Sequence, residues 1–175
     1  MRPAEELRYL ILAIQREGNR LFASELRPLG VTPSQAEVLR VLSDHGPLTL
    51  TALGDLLVCE TGNSPSRLVD RLVAHRLVQR DVDPADRRYI TLVLTPEGKG
   101  VNRRIAAVEH RLYSTIDAHV TDQPVDETLR TLRSLASAFP AGHAVARRRD
   151  LSADAQPQTQ PQTQSQTQSQ TRTTR

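Results

Sequence analysis

The sequence has no tryptophan, one cysteine, one methionine, three tyrosines and two phenylalanines in 175 residues. A lone cysteine, Cys59, excludes an intrachain disulfide framework and fits a reducing compartment. No stretch approaches the roughly 20 apolar residues that a membrane-spanning helix needs. Tyr9–Ile14 is too short for the core of a secretory signal and is cut off by Gln15–Arg16–Glu17. A cytoplasmic protein with no membrane partner is expected. The five histidines, His45, His75, His110, His119 and His143, form no close pair at metal-ligand spacing, and no second cysteine can join them. No phosphate-cradling glycine loop and no nucleophile elbow occurs. No enzyme activity, metal site or cofactor is therefore expected. Few aromatics also leave few stacking partners for a small ligand.

Lysine is nearly absent too: of 23 basic residues only Lys99 is not arginine. Positive charge is concentrated. Between Asn63 and Arg104 nine basic residues stand against five acids, an excess of four where the whole chain has three. That pattern suits a protein with one face against a polyanion. Arginine's planar fork matches phosphate and guanine.

At the far end, Gln156 to Arg175 is a Gln, Thr, Ser and Pro repeat with no apolar side chain to bury, so disorder is expected there. Ahead of it the period is helical. Leu7, Leu10, Ile11, Ile14, Leu21 and Phe22 predict a helix over Glu5–Leu26. Thr32 with Pro33 opens a second helix that stops at His45–Gly46–Pro47. Leu48–Leu50 reads as a short extended piece, and Thr51 as the cap of a third helix reaching Val58. After a turn at Cys59–Gly62, Asn63 or Ser64 caps a fourth helix with Pro65 in its first turn. Leu77–Val82 and Tyr89–Thr95 then read as strands around the polar loop Asp83–Arg88. Thr95 and Pro96 start a fifth helix to His119, and Val125–Phe139 predicts a sixth, broken by Pro140 and Gly142.

Short helices followed by a hairpin make a winged helix-turn-helix, a mainly α fold with a small β-wing. The first, fifth and sixth helices carry more apolar surface than so small a unit can cover, which points to a second subunit. The expected organisation is an N-terminal dimerisation helix over 1–30, the winged unit over 31–97, C-terminal dimerisation helices over 98–149 and a disordered tail over 150–175.

Four segments carry a family resemblance: Val31–Leu39, Leu53–Leu57, Ser66–Val73, and Asp83–Arg88 running on to Leu94–Thr95–Pro96–Glu97–Gly98. In this order and spacing the chain resembles the MarR family of bacterial transcription regulators over roughly Leu7 to Phe139. The resemblance implies a homodimer on a palindromic double-stranded DNA operator, acting as a repressor relieved by a small molecule or an oxidant. The alternative is a winged dimer that contacts another protein and not DNA.

In a helix-turn-helix the second helix enters the major groove with its first turn at the base edges. Here that is Asn63, Ser64, Pro65, Ser66 and Arg67, with Arg67 the first choice for guanine O6 and N7 or else a phosphate ligand. Arg71, one turn on, faces the same side, either for a phosphate or for an ion pair with Asp70 or another acid. At the hairpin tip Arg87 and Arg88 can reach a narrow minor groove. The family analogy makes Arg88 the inserted residue and Asp86 its brace. Thr32, Ser34 and Gln35 are candidates for phosphate contacts or for ordinary helix capping. Cys59 is either a redox sensor or a small buried apolar residue. An effector pocket is expected between the winged unit and the dimer helices, lined from the first, second and fifth helices. The Arg147–Arg149 cluster is read as a solvated terminus or a source of non-specific DNA affinity.

Overall fold

The structure, a computed structural model, describes residues 1–58, 64–82 and 89–154. In chain order these form α1 (Pro3–Leu26), a single 3-10 turn, α2 (Pro33–His45), α3 (Leu50–Gly54), α4 (Pro65–Ala74), β1 (Val78–Val82), β2 (Ile90–Leu94), α5 (Pro96–Val120), α6 (Val125–Ala136) and α7 (Pro140–Asp154). The class is the expected one, mainly α with a two-stranded antiparallel ribbon. No helix among the described residues is long and apolar enough to cross a membrane.

The core gathers around α2. Val38 and Leu39 meet Leu26, Leu53, Val69, Leu72, Val78 and Ile105, all essentially sealed from solvent. Helix starts are set by side-chain caps. Thr32 Oγ1 accepts from the Gln35 amide at 3.3 Å while Gln35 Oε1 accepts from the Thr32 amide at 2.9 Å, a reciprocal capping box. Ser34 and Gln35 are themselves buried. That removes both from the candidate phosphate ligands, because neither reaches a surface where DNA could lie; of the three, Thr32 alone is exposed.

The third helix also departs from expectation. Its cap is Thr49, whose Oγ1 accepts from the Ala52 amide at 3.2 Å, two residues ahead of Thr51, and it ends at Gly54 instead of Val58. Of the extended piece before it, Leu48 alone pairs, exchanging both backbone hydrogen bonds with Leu92 of β2.

The β-ribbon pairs Val78 with Leu94, Arg80 with Leu92 and Val82 with Ile90. Val78 and Leu92 are buried at its base, whereas Val82 and Ile90 are exposed at its outer end. The ribbon is therefore anchored at one end and projects at the other.

The junction below it is tight. Arg76, at φ 58°, ends α4 in the left-handed conformation that lets the Leu77 amide reach back to the Leu72 carbonyl at 2.9 Å. Thr95 Oγ1 donates to the Arg76 carbonyl at 2.6 Å and accepts from the Gly98 amide at 2.9 Å, and the Thr95 amide donates to the Leu77 carbonyl at 3.1 Å. Gly98 lies against that same carbonyl, and a Cβ there would sit 1.9 Å from its oxygen. Gly98→Ala should cost about 1–3 kcal/mol through forced backbone displacement, read as a lowered melting temperature. An unchanged melt would refute the close approach.

The chain does not stop being helical near Arg149. The turn after α6 is close, with a Cβ at Gly142 placed 2.0 Å from the Ala136 carbonyl oxygen, and His143 Nε2 donates to the Ser137 carbonyl at 3.0 Å. Pro140 sits where a helix's first amide has no partner, so it starts α7 instead of ending order. Ala144 of α7 is buried.

Helices α1, α5 and α6 leave a large apolar surface uncovered. Leu7, Leu10, Ile11 and Ile14 of α1, Ile116 of α5, and Leu129, Leu132 and Leu135 of α6 are all exposed within one subunit. Ile11, Ile14, Leu132, Leu135 and Phe139 line a groove of about 500 Å³ between α1 and the end of α6.

Candidate nucleic-acid interface

Helix α4 divides cleanly. Leu68, Val69 and Leu72 are buried against the core, while Ser64, Arg67, Asp70 and Arg71 are exposed. Spacing alone produces this, because apolar residues three and four apart share one stripe and the polar ones take the opposite side. Ser64, in the N-cap position, makes no side-chain bond to the helix backbone; its Oγ lies 2.8 Å from Ser66 Oγ. Pro65 brings no amide to the first turn. The open start of α4 thus presents two small hydroxyls and one arginine, a surface that a groove edge can approach closely.

Among the described residues Arg67 and Arg71 have no ion pair and no side-chain hydrogen bond. Asp70 does not pair with Arg71. Consecutive helical residues do not face one another, and Asp70 Oδ1 instead accepts from Arg80 Nη2 of β1 at 2.6 Å. That pair links α4 to the ribbon and leaves both outward arginines of α4 available to a polyanion. It depends on the register that places Arg80 opposite Leu92, which the sequence pattern does not disclose.

Asn63, Cys59 and the wing residues Asp86, Arg87 and Arg88 lie outside the described residues. The described part of the ribbon ends at the exposed Val82–Ile90 pair. Among the described residues no group of three His, Cys, Asp or Glu side chains could hold a metal ion.

Two further features escaped the sequence reading. The first is a cavity of about 460 Å³ at the junction of α2, β2 and α5, lined in part by Leu42, Pro47, Leu94, Lys99, Asn102 and Arg103. Asn102 is buried and its Oδ1 has no hydrogen-bond partner among the described residues. A buried acceptor left unpaired costs about 1–3 kcal/mol. The cavity shares α2 and α5 with the expected effector pocket, but its third wall is β2 and not α1.

The second feature is the destination of two C-terminal arginines. Arg147 Nε donates to the Asp55 carbonyl at 3.0 Å, and Arg148 Nε donates to the Leu56 carbonyl at 2.6 Å. Arg148 also pairs with Glu37 of α2, whose Oε1 accepts from the Val58 amide at 2.8 Å. These two arginines are therefore neither a solvated terminus nor a free basic cluster. Arg149 alone of the three is exposed with no ion pair or side-chain hydrogen bond among the described residues.

Three residues along α2 from Glu37 and on the same side of the helix, Arg40 Nε meets Glu109 Oε2 of α5 at 2.9 Å. Burial raises the Glu109 carboxyl above its ordinary value, and Arg40 only partly opposes this. The folded chain thus holds this proton more tightly than the unfolded chain. The resulting stabilisation is full below the ordinary glutamate range, about pH 4, and is lost as pH rises through the raised value. Glu109→Gln should lose that pH-dependent part. Urea midpoints of variant and parent should differ by an amount that changes between acidic and neutral pH; a constant difference would refute the assignment.

Comparison with known proteins agrees with this geometry. A family model described as a winged helix DNA-binding domain matches residues 31–98. The multiple antibiotic resistance protein MarR of Salmonella typhimurium is 30% identical over 92 residues, 53% of this chain and 63% of that protein, so the chain spans a little under two thirds of it. A MarR-family transcriptional regulator from Silicibacter pomeroyi superposes with a TM-score of 0.62 at 28% identity, covering 76% of this chain and 89% of that one. A MarR mutant from E. coli complexed with operator DNA gives 0.61 at 26% identity, covering 77% and 94%. With an exposed-faced helix α4, an antiparallel ribbon and long flanking helices in this order, the chain carries a match to a winged helix DNA-binding domain and is similar to transcriptional regulators of the MarR family.

Proposed function

We propose that the protein works in the cytoplasm as a homodimeric repressor on a palindromic operator, with α4 in the major groove and the 83–88 loop in the neighbouring minor groove. The observation that carries this reading is the outward face of α4, where Arg67 and Arg71 stand exposed without a partner among the described residues while Asp70 is engaged by Arg80. Arg67 reads a base edge and Arg71 takes a phosphate; Asn63, Ser64, Pro65 and Ser66 let the backbone approach. Arg88 enters the minor groove beside Arg87, braced by Asp86. Thr32 adds a backbone contact.

The dimer is supported by the uncovered apolar surface of α1, α5 and α6. Two-fold symmetry then sets the reading helices about 34 Å apart, one turn of DNA. A small molecule in the cavity at Asn102, Lys99 and Arg103 relieves repression by shifting the balance between DNA-competent and displaced arrangements of the reading heads.

The test is fluorescence anisotropy with a duplex from the protein's own promoter against a shuffled duplex of equal length. Tight binding to the promoter duplex alone, weakening steeply with salt, is expected. Equal binding to both, or none to either, overturns the reading.

A further inference from the structure

We infer that Arg148 is a positioning residue for DNA recognition: from α7 it clamps the chain leaving α3, and through α3 the first turn of α4, whose Pro65 lies against Gly54. This rests on α4 being the reading helix. Helix α3 has five residues, too few to be stable through its own hydrogen bonds. Its last carbonyls, those of Leu53 and Gly54, accept from the Leu56 and Leu57 amides at 3.0 and 3.3 Å. The next two carbonyls, those of Asp55 and Leu56 just past the helix, are taken by Arg147 and Arg148, 92 residues further along the chain.

One guanidinium and one carboxylate then connect four places. Arg148 donates to the Leu56 carbonyl and to Glu37, and Glu37 accepts from the Val58 amide, so α7, α2 and both sides of the segment leaving α3 are held together. The pair is shielded from water. The Glu37 side chain is 9% exposed and that of Arg148 29%, where charge-assisted hydrogen bonds are stronger than those of solvated pairs. The clamp's other end is fixed as well, by buried Ala144, by the close turn at Gly142 and by the bond from His143 to Ser137. The clamp thus joins the C-terminal helices α6 and α7 to α2 and to the chain leaving α3.

A clamp and a phosphate ligand predict different DNA-binding behaviour. Because Arg148 is turned inward, losing it should misplace α4 without removing a phosphate contact. Arg148→Ala, and the milder Glu37→Gln in case the first variant folds poorly, are each expected to lower affinity for a promoter duplex by about tenfold, within the usual range for coupled sites. Binding to shuffled DNA and the slope of affinity against salt should stay as in the parent. The double variant should be no worse than Arg148→Ala, and Arg148→Lys, which keeps charge but not the fork, should not restore affinity.

A salt slope reduced by about one, with promoter and shuffled DNA weakened equally, would make Arg148 a phosphate ligand and overturn the proposal. So would unchanged promoter affinity in both folded single variants. If the unsubstituted protein fails to prefer the promoter duplex, the reading-helix assignment itself falls, and the positioning role with it.

Discussion

Arg67→Ala should weaken promoter binding by about fivefold to 150-fold and relax the preference for one base pair in each half-site. The side chain stands at the open first turn of α4, has no partner among the described residues, and carries a fork that matches the two acceptors of guanine. Arg71→Ala is a built-in contrast. One turn further from the helix start, it should weaken all sequences alike and reduce the salt slope by about one. Anisotropy titrations at several salt concentrations, run on duplexes with single base changes, separate the two. Were Arg67→Ala to leave both affinity and base preference intact, α4 could not be reading through this residue, and the outward face would need another partner.

The second large effect concerns assembly. Leu135→Glu should convert the protein to a monomer at micromolar concentration and abolish cooperative occupation of both half-sites. In a single subunit Leu135 already meets water beside the groove it forms with Ile11, Ile14 and Phe139, so the substitution costs little within the fold. Across a two-fold interface the same carboxylate would be buried without a partner, twice by symmetry, at several kcal/mol in total. The dimer constant should fall on the order of a thousandfold. Sedimentation equilibrium measures this directly, and the circular dichroism of the variant should stay helical. A variant that remains dimeric would show that α1 and α6 do not form the interface.

Much of this architecture can be read in the chain. Periodicity gives α1 and α5 to within two residues because their apolar stripes are strong, whereas α6 stops at Ala136, three residues before the expected Phe139, and Thr95–Pro96 marks the start of α5 through capping chemistry that is local. Thr49 and Thr51 could not be told apart that way: both hydroxyls precede apolar residues, and the choice is made by Leu48, which is drawn onto β2 from far along the chain. Helix α7 was missed for a different reason. It docks through arginines onto carbonyl groups, an interaction without hydrophobic period, and its opening Pro140 reads equally as a stop or a start. The site was legible to the extent that it follows from the two faces of α4. The Asp70–Arg80 link and the unpaired Asn102 oxygen were not, since both depend on elements brought together by tertiary packing.

The triple engagement of Thr95 has a mechanical corollary. With the end of α4, the root of the ribbon and the first turn of α5 bound to one hydroxyl and its neighbours, this joint has little slack. Helix α5, at 25 residues, is a lever about 37 Å long. A tilt of only about 5° at its distal end swings the attached winged unit by roughly 3 Å, close to the rise of one base-pair step. A disturbance among the distal helices is thus geared up at the far end of α5, and in the proposed dimer two such levers related by a two-fold axis would change the span between half-sites by nearly twice as much.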